Sequence, residues 1–194
     1  SQALAQDEHD PKALNIIALY HIQRKEWGAA RILIEKALAK HKLAGLQNNL
    51  GIISLKEDNL EGAIIHFKKA YDIDSANPNL LTNLGSVYIK YLDYGRAGAL
   101  IEKSYGVNSG SVNVMNNYAI LLRSQGNYEK SASIYEKALS KDSRNTSILL
   151  NYAILLVEYM KKYEEGERKL NKLEFLESND RYIKARMDEL HSKI

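Results

Sequence analysis

Four asparagines, Asn49, Asn83, Asn117 and Asn151, follow one another at intervals of 34 residues. A primary amide both donates and accepts, so one such side chain can satisfy the C=O and the N–H of a single peptide unit. A row of them at equal intervals would grip an extended backbone with little regard to its sequence. The same spacing would serve bonds from one structural repeat to the next, because buried amides find partners inside proteins. Both roles stand on the sequence. Lys56, Lys90 and Arg123 come close behind three of these asparagines, with Ile52, Ile89 and Ile120 between, and Glu158 reverses the charge behind the fourth.

The residues that usually carry catalysis or metals are not placed for either. His9, His21, His41, His66 and His191 show no HxxxH spacing. The acids of "DEHD" (7–10) fall where polar turn residues are expected. "DIDSAN" (72–77) begins like a calcium loop, but Ala76 fills a ligand position and the loop glycine is missing. No Gly-rich phosphate loop or G-x-S-x-G elbow occurs. With no cysteine there is no disulfide, thiolate metal site or cysteine nucleophile. The expectation is a protein without catalytic residues, metal or cofactor. A net charge of +3, with pairs such as Lys68-Lys69 and Lys161-Lys162 as the densest basic patches, lacks the stripe that tracks phosphates. The longest apolar stretch, Ile148 to Met160, is too short to span a bilayer and contains Asn151 and Glu158. No signal-peptide pattern opens the sequence, and the compartment is left undecided.

The elements that must hold the asparagines repeat with them. Small residues recur as Ala3, Ala37, Ala70, Ser104 and Ala138, as Ala30, Ala63, Ala97, Ser131 and Gly166, and as Ala18, Gly51, Gly85, Ala119 and Ala153. Large apolar columns run between them: Ile17, Leu50, Leu84, Tyr118 and Tyr152; Ile34, Phe67, Ile101, Tyr135 and Leu170; Trp27, Leu60, Tyr94, Tyr128 and Tyr163. Leu81, Leu84, Gly85 and Tyr88 fall on one helical face. Each period reads as two antiparallel helices, small residues letting the axes approach and large neighbours filling the grooves. Asp10-Pro11 and Asn77-Pro78 predict first-helix starts, Asn59, Asp93 and Asn127 predict capped second helices, and Gly126 and Gly106 predict helix ends.

These columns resemble tetratricopeptide (TPR) repeats, most closely at "NLGSVY" (83–88), "YAILLRSQGNYEKSASIYEKAL" (118–139) and the segment 49–55. The predicted fold is all-α: a right-handed α-solenoid of antiparallel helix pairs, a TPR superhelix, with a C-terminal capping helix. A single solenoid over 1–194 would hold pairs at 11–43, 44–77, 78–111, 112–145 and 146–178, the last with one extra residue near Met160. Residues 1–10 align with the tail of a second helix, which implies a preceding repeat in a longer parent. Residues 179–194 form the cap, with Tyr182, Ile183, Met187, Leu190 and Ile194 predicted to lie on the fifth pair.

The resemblance implies that first helices line a concave surface. There Asn49, Asn83, Asn117 and Asn151, flanked by Ile52, Ile89, Ile120, Lys56, Lys90 and Arg123, would meet an extended peptide with apolar side chains and an acidic residue near Lys56 and Lys90. Packed helices about 8–10 Å apart match about three residues of extended chain. The isoleucines would equally suit packing between helix pairs. The carboxylate clamp of some TPR cochaperones needs lysine and arginine where this chain has Asn or Ser, so that ligand class is disfavoured. The implied function is a scaffold for a protein or peptide. One alternative is a self-associating assembly factor of a bacterial envelope, pilus or motility machine, since residues 116–139 are similar to bacterial TPR lipoproteins of pilus assembly. The other, an RNA-binding helical-hairpin repeat, is opposed by the weak basicity and the three small-residue columns.

Overall fold

A computed structural model describes residues 10–176 and 180–194 of the chain. The expected second-helix tail at residues 1–9, with His9, lies outside the described residues. Every regular element among the described residues is helical. The chain divides into two compact units meeting at Tyr91 and Leu92. The first holds α1 (Pro11–Gln23), α2 (Trp27–Leu38), α3 (Ala44–Lys56), α4 (Leu60–Ile73) and α5 (Pro78–Lys90). The second holds α6 (Tyr94–Val107), α7 (Val112–Ser124), α8 (Tyr128–Lys141), α9 (Thr146–Ile154), α10 (Tyr163–Phe175) and α11 (Arg181–His191). A π-helical turn, Leu155–Tyr159, continues α9.

The small-residue columns are the contact seams. In the first unit Ala18, Ala30, Ala37, Ala63 and Ala70 are fully buried, beside Ile34 and Phe67. A Cβ at Gly51 would overlap the Phe67 ring, so only glycine lets α3 and α4 approach this closely. In the second unit Ala97, Ala119, Ala138 and Ala153 fill the same role, with Tyr135 and Tyr152 stacked 5.5 Å apart. Ser131 replaces alanine at no polar cost, because its hydroxyl donates to the Ala119 carbonyl at 2.7 Å.

The helix starts follow their caps. Asp10 accepts from the Lys12 and Ala13 N–H groups at 3.1 and 3.2 Å, with Pro11 in the first turn. Asn77, Asn59 and Asp93 cap α5, α4 and α6 in the same way. Asn127, predicted to cap α8, makes no such bond; its own N–H donates to the Leu122 carbonyl at 2.9 Å. Gly106 does not end its helix, since α6 continues to Val107.

Helix ends show a regularity that residue types conceal. Lys25, Asp58, Leu92, Gly126 and Lys161, one at each junction between a first and a second helix, have φ of 61, 56, 57, 78 and 57°. Each occupies the left-handed position that closes a helix, which glycine fills without strain. Only Gly126 announces it by type.

The extra residue of the fifth pair resides in the π turn. The Met160 N–H donates to the Leu155 carbonyl, five residues back, at 3.0 Å. The same repeat has Gly166 where the others carry Ala or Ser, and a Cβ there would stand 2.5 Å from Val157 Cγ2. The insertion pushes Val157 of the π turn onto α10, and glycine makes room. At the end of the second unit, Ile183, Met187 and Leu190 of α11 cover Leu149, Leu150, Val157 and Leu173. Tyr182 and Ile194, predicted to join that contact, are exposed.

Candidate functional site

In the first unit the asparagine column meets a second one. Asn49 Nδ2 donates to Asn15 Oδ1 at 2.8 Å, and Asn83 Nδ2 donates to Asn48 Oδ1 at 2.7 Å. Each bond joins the first helix of one pair to that of the pair before it. Asn49 is buried and Asn83 half-buried. Within each pair one amide has spent a donor and the other an acceptor. The remaining atoms, Asn83 Oδ1 and Asn48 Nδ2, make no further bond among the described residues and are not sealed from solvent. Each such amide pair thus keeps one acceptor and one donor unspent. Ile52 and Ile89 are half-buried, while Lys56 and Lys90 are exposed at the ends of α3 and α5.

The second unit repeats the pairing. Asn151 Nδ2 donates to Asn116 Oδ1 at 3.0 Å. Asn117 and Ile120 are half-buried on α7. Asn151 opens onto a hollow of about 140 Å³ also lined by Ser147, Leu150, Asp180, Tyr182 and Ile183. Arg123 does not project freely. Its guanidinium carbon lies 5.3 Å from the Tyr159 ring centroid, and Tyr159 leans on Tyr128 at 5.5 Å.

Asn15, Asn48 and Asn116 are the residues that sequence reasoning missed. They recur one position ahead of the recognised column in phase with the repeat, and the doublets Asn48-Asn49 and Asn116-Asn117 carry the signal. In α9 the acceptor position holds Leu150, which is buried under α11.

The charge reversal expected at Glu158 is corrected by the structure. Arg186 Nη2 donates to both Glu158 oxygens at 3.0 Å, and Lys193 Nζ reaches the same carboxylate. Burial pushes the Glu158 carboxyl upward, but these cations outweigh it and hold it below the usual range. Its charge is spent on α11. In the first unit His66 is half-buried with Nδ1 2.9 Å from Gln47 Oε1, and burial, with Lys69 and Arg31 adding, lowers its pKa. No group of three His, Asp or Glu side chains able to hold a metal occurs among the described residues. No described helix is long and apolar enough to cross a membrane.

Helical hairpins with small-residue seams and polar faces on the first helices define a helical-repeat protein. Tetratricopeptide-repeat family models match residues 44–77 and 112–141. These two segments are tetratricopeptide repeats. Among solved structures the chain is similar to PilF of Pseudomonas aeruginosa, with 18% identity, TM-score 0.72, and coverage of 94% of this chain and 85% of that one. TTC0263, a thermophilic TPR protein of Thermus thermophilus, shares 15% identity at a TM-score of 0.74, covering 94% and 99%. YrrB, described as a TPR protein with an unusual peptide-binding site, shares 17% at 0.66, covering 97% and 96%. At these identities the likeness shows the fold. No curated protein matches the sequence.

Proposed function

We infer that this chain, like tetratricopeptide-repeat proteins in general, serves as a protein-interaction scaffold. We propose that the first helices of each unit bind an extended segment of a partner protein by its backbone. The observation that carries this reading is the state of the amide pairs. Asn15/Asn49 and Asn48/Asn83 in one unit, and Asn116/Asn151 in the other, are oriented by the bond they make to each other. Their unspent acceptor and donor match the N–H and C=O of a peptide unit. Orientation before binding spares the entropy of ordering a long polar side chain. Ile52 and Ile89 supply apolar contacts in the first unit, where Lys56 and Lys90 favour an acidic ligand residue. Ile120 and Arg123, beside Asn117, do so in the second. A relative in fold, YrrB, is described as having a peptide-binding site.

The framework role of the asparagines and the binding role are two uses of one side chain. A phage-displayed library of random dodecapeptides, panned on the protein, tests the reading. Retained peptides should bind Asn48→Ala/Asn83→Ala or Asn116→Ala/Asn151→Ala variants about tenfold more weakly or worse, the loss expected when hydrogen bonds of this kind are removed. Full affinity for folded variants of both pairs would sink it.

Self-association has one observation behind it. Ile16, Leu19 and Tyr20 on α1 are 67, 41 and 55% exposed, whereas the equivalents of Ile16 and Tyr20 in α3, Asn49 and Ile53, are buried. Sedimentation over a hundredfold range of concentration, with Ile16→Asn alongside, separates the two readings. A monomer throughout removes the second.

A further inference from the structure

Arg123 ends α7 in a position that ordinary packing does not explain. Its Nη1 is sealed from solvent and has no acceptor. Arg123 joins no ion pair among the described residues. The acid of the π turn, Glu158, is already bound by Arg186 and Lys193. On the same side, the hydroxyl of the fully buried Tyr135 is also sealed and makes no hydrogen bond of good geometry, with the Ser131 hydroxyl as a polar neighbour. The guanidinium is close enough for its charge to oppose the upward push of burial on that hydroxyl.

A buried donor without an acceptor is costly, and a guanidinium carries its charge at every pH a cell meets. What holds Arg123 inward is the Tyr159 ring, a contact that is weak where the ring is partly wet, and Tyr159 is 43% exposed. No hydrogen bond of Nη1 is lost when the side chain leaves. The π turn supplies this ring.

We propose that Arg123 is the acid-reading residue of the second unit: it turns outward from its resting place on Tyr159 to pair with one Asp or Glu side chain of the bound peptide. Resting on the peptide-binding reading above, this assigns that ligand an acidic residue at a defined place. The planar fork meets a carboxylate with two parallel N–H···O bonds, and the space it vacates admits a water to the Tyr135 hydroxyl. Both groups gain partners in the bound state, which favours the outward position once a carboxylate arrives. The arrangement differs from the paired-cation clamp of TPR cochaperones, whose columns hold Asn or Ser here.

The dodecapeptide library provides the test, panned in parallel on the wild-type protein, Arg123→Gln and Arg123→Glu. Peptides retained by the wild type should share an acid at one position. That preference should vanish with Arg123→Gln and turn to Lys or Arg with Arg123→Glu, an inversion that an unfolded variant cannot produce. For one selected peptide, replacing its acid by the amide should weaken binding about tenfold to the wild type and leave Arg123→Gln binding unchanged. Peptides retained without an acidic position, or with one that persists in Arg123→Gln, overturn the assignment and leave the peptide-binding face standing. A library from which nothing is retained overturns both.

Discussion

Asn83 and Asn48 hold each other, and that bond sets what either side chain is worth alone. Removing one amide deletes a net contribution of about 1 kcal/mol and leaves its partner in a half-buried place without its bond. Asn83→Ala is therefore expected to lower the urea midpoint, and the double variant with Asn48→Ala to cost less than the two singles added. Strict additivity in that cycle would mean that the pair does not interact in solution. Tyr135 makes the opposite case. Its hydroxyl is buried and makes no hydrogen bond of good geometry, so Tyr135→Phe should leave stability at neutral pH unchanged or raise it by up to about 1 kcal/mol. Burial raises the folded-state pKa above the ordinary value of 10.0, with Arg123 and the Ser131 hydroxyl opposing. A group raised in the folded state stabilises fully below its unfolded pKa, and that contribution is lost as pH climbs past it. Stability should fall above about pH 10, and the Phe variant should fall less steeply. Tyr152, also raised by burial and by its bond to Glu136, keeps part of the slope. Equal alkaline slopes would show that the hydroxyl is hydrated.

Among the helices, residue type and geometry disagree most at the closing positions. Leu92 holds φ 57° and is 72% exposed, so its side chain returns little for a conformation that costs an L-residue about 1–2 kcal/mol. Leu92→Gly is expected to raise stability by about 0.5–1 kcal/mol after the extra freedom of glycine in the unfolded chain is deducted. A destabilised variant would mean that Leu92 packs in solution. The π turn and Gly166 form a second such unit. Gly166→Ala should cost about 1–3 kcal/mol by driving a methyl group into Val157. Deleting one residue between Leu155 and Met160 should make the same alanine neutral, because the other repeats carry Ala or Ser there without the insertion. A cost that survives the deletion would place the crowding elsewhere. The helix pairs were legible in the sequence because burial imposes small and large residues at a fixed period, and the extra residue was legible as a break in that period. The left-handed closures were not, since Lys25, Asp58, Leu92 and Lys161 take the conformation that only Gly126 announces by type. The amide pairs were half legible: one column was read, and its partner, a single residue ahead, was not.

At the scale of the molecule, the apolar face of the α9–α10 hairpin is covered by α11 in the second unit. Leu190 is fully buried, and Ile183 and Met187 join it over Leu149, Leu150 and Val157. Leu150 stands where α1, α3 and α7 carry Asn15, Asn48 and Asn116 and α5 carries Thr82, and it lies buried under α11. The contact is rimmed by ions: Glu158 with Arg186 and Lys193, and Glu189 with the same two cations. These two contributions differ in kind. Truncating a core leucine costs about 2–5 kcal/mol, while ion pairs open to water contribute little and fade in salt. Leu190→Ala is therefore expected to lower the melting temperature at every ionic strength, and Glu158→Gln to lower it slightly in dilute buffer and not at all in about 1 M salt, where screening is nearly complete. The carboxylates of the rim are held below their ordinary range, Glu189 at about 2, so their contribution persists through mild acid and is lost as pH falls further. A Glu158→Gln variant as damaging as Leu190→Ala would reverse the ranking and make the ionic rim, rather than the leucine, what fastens α11.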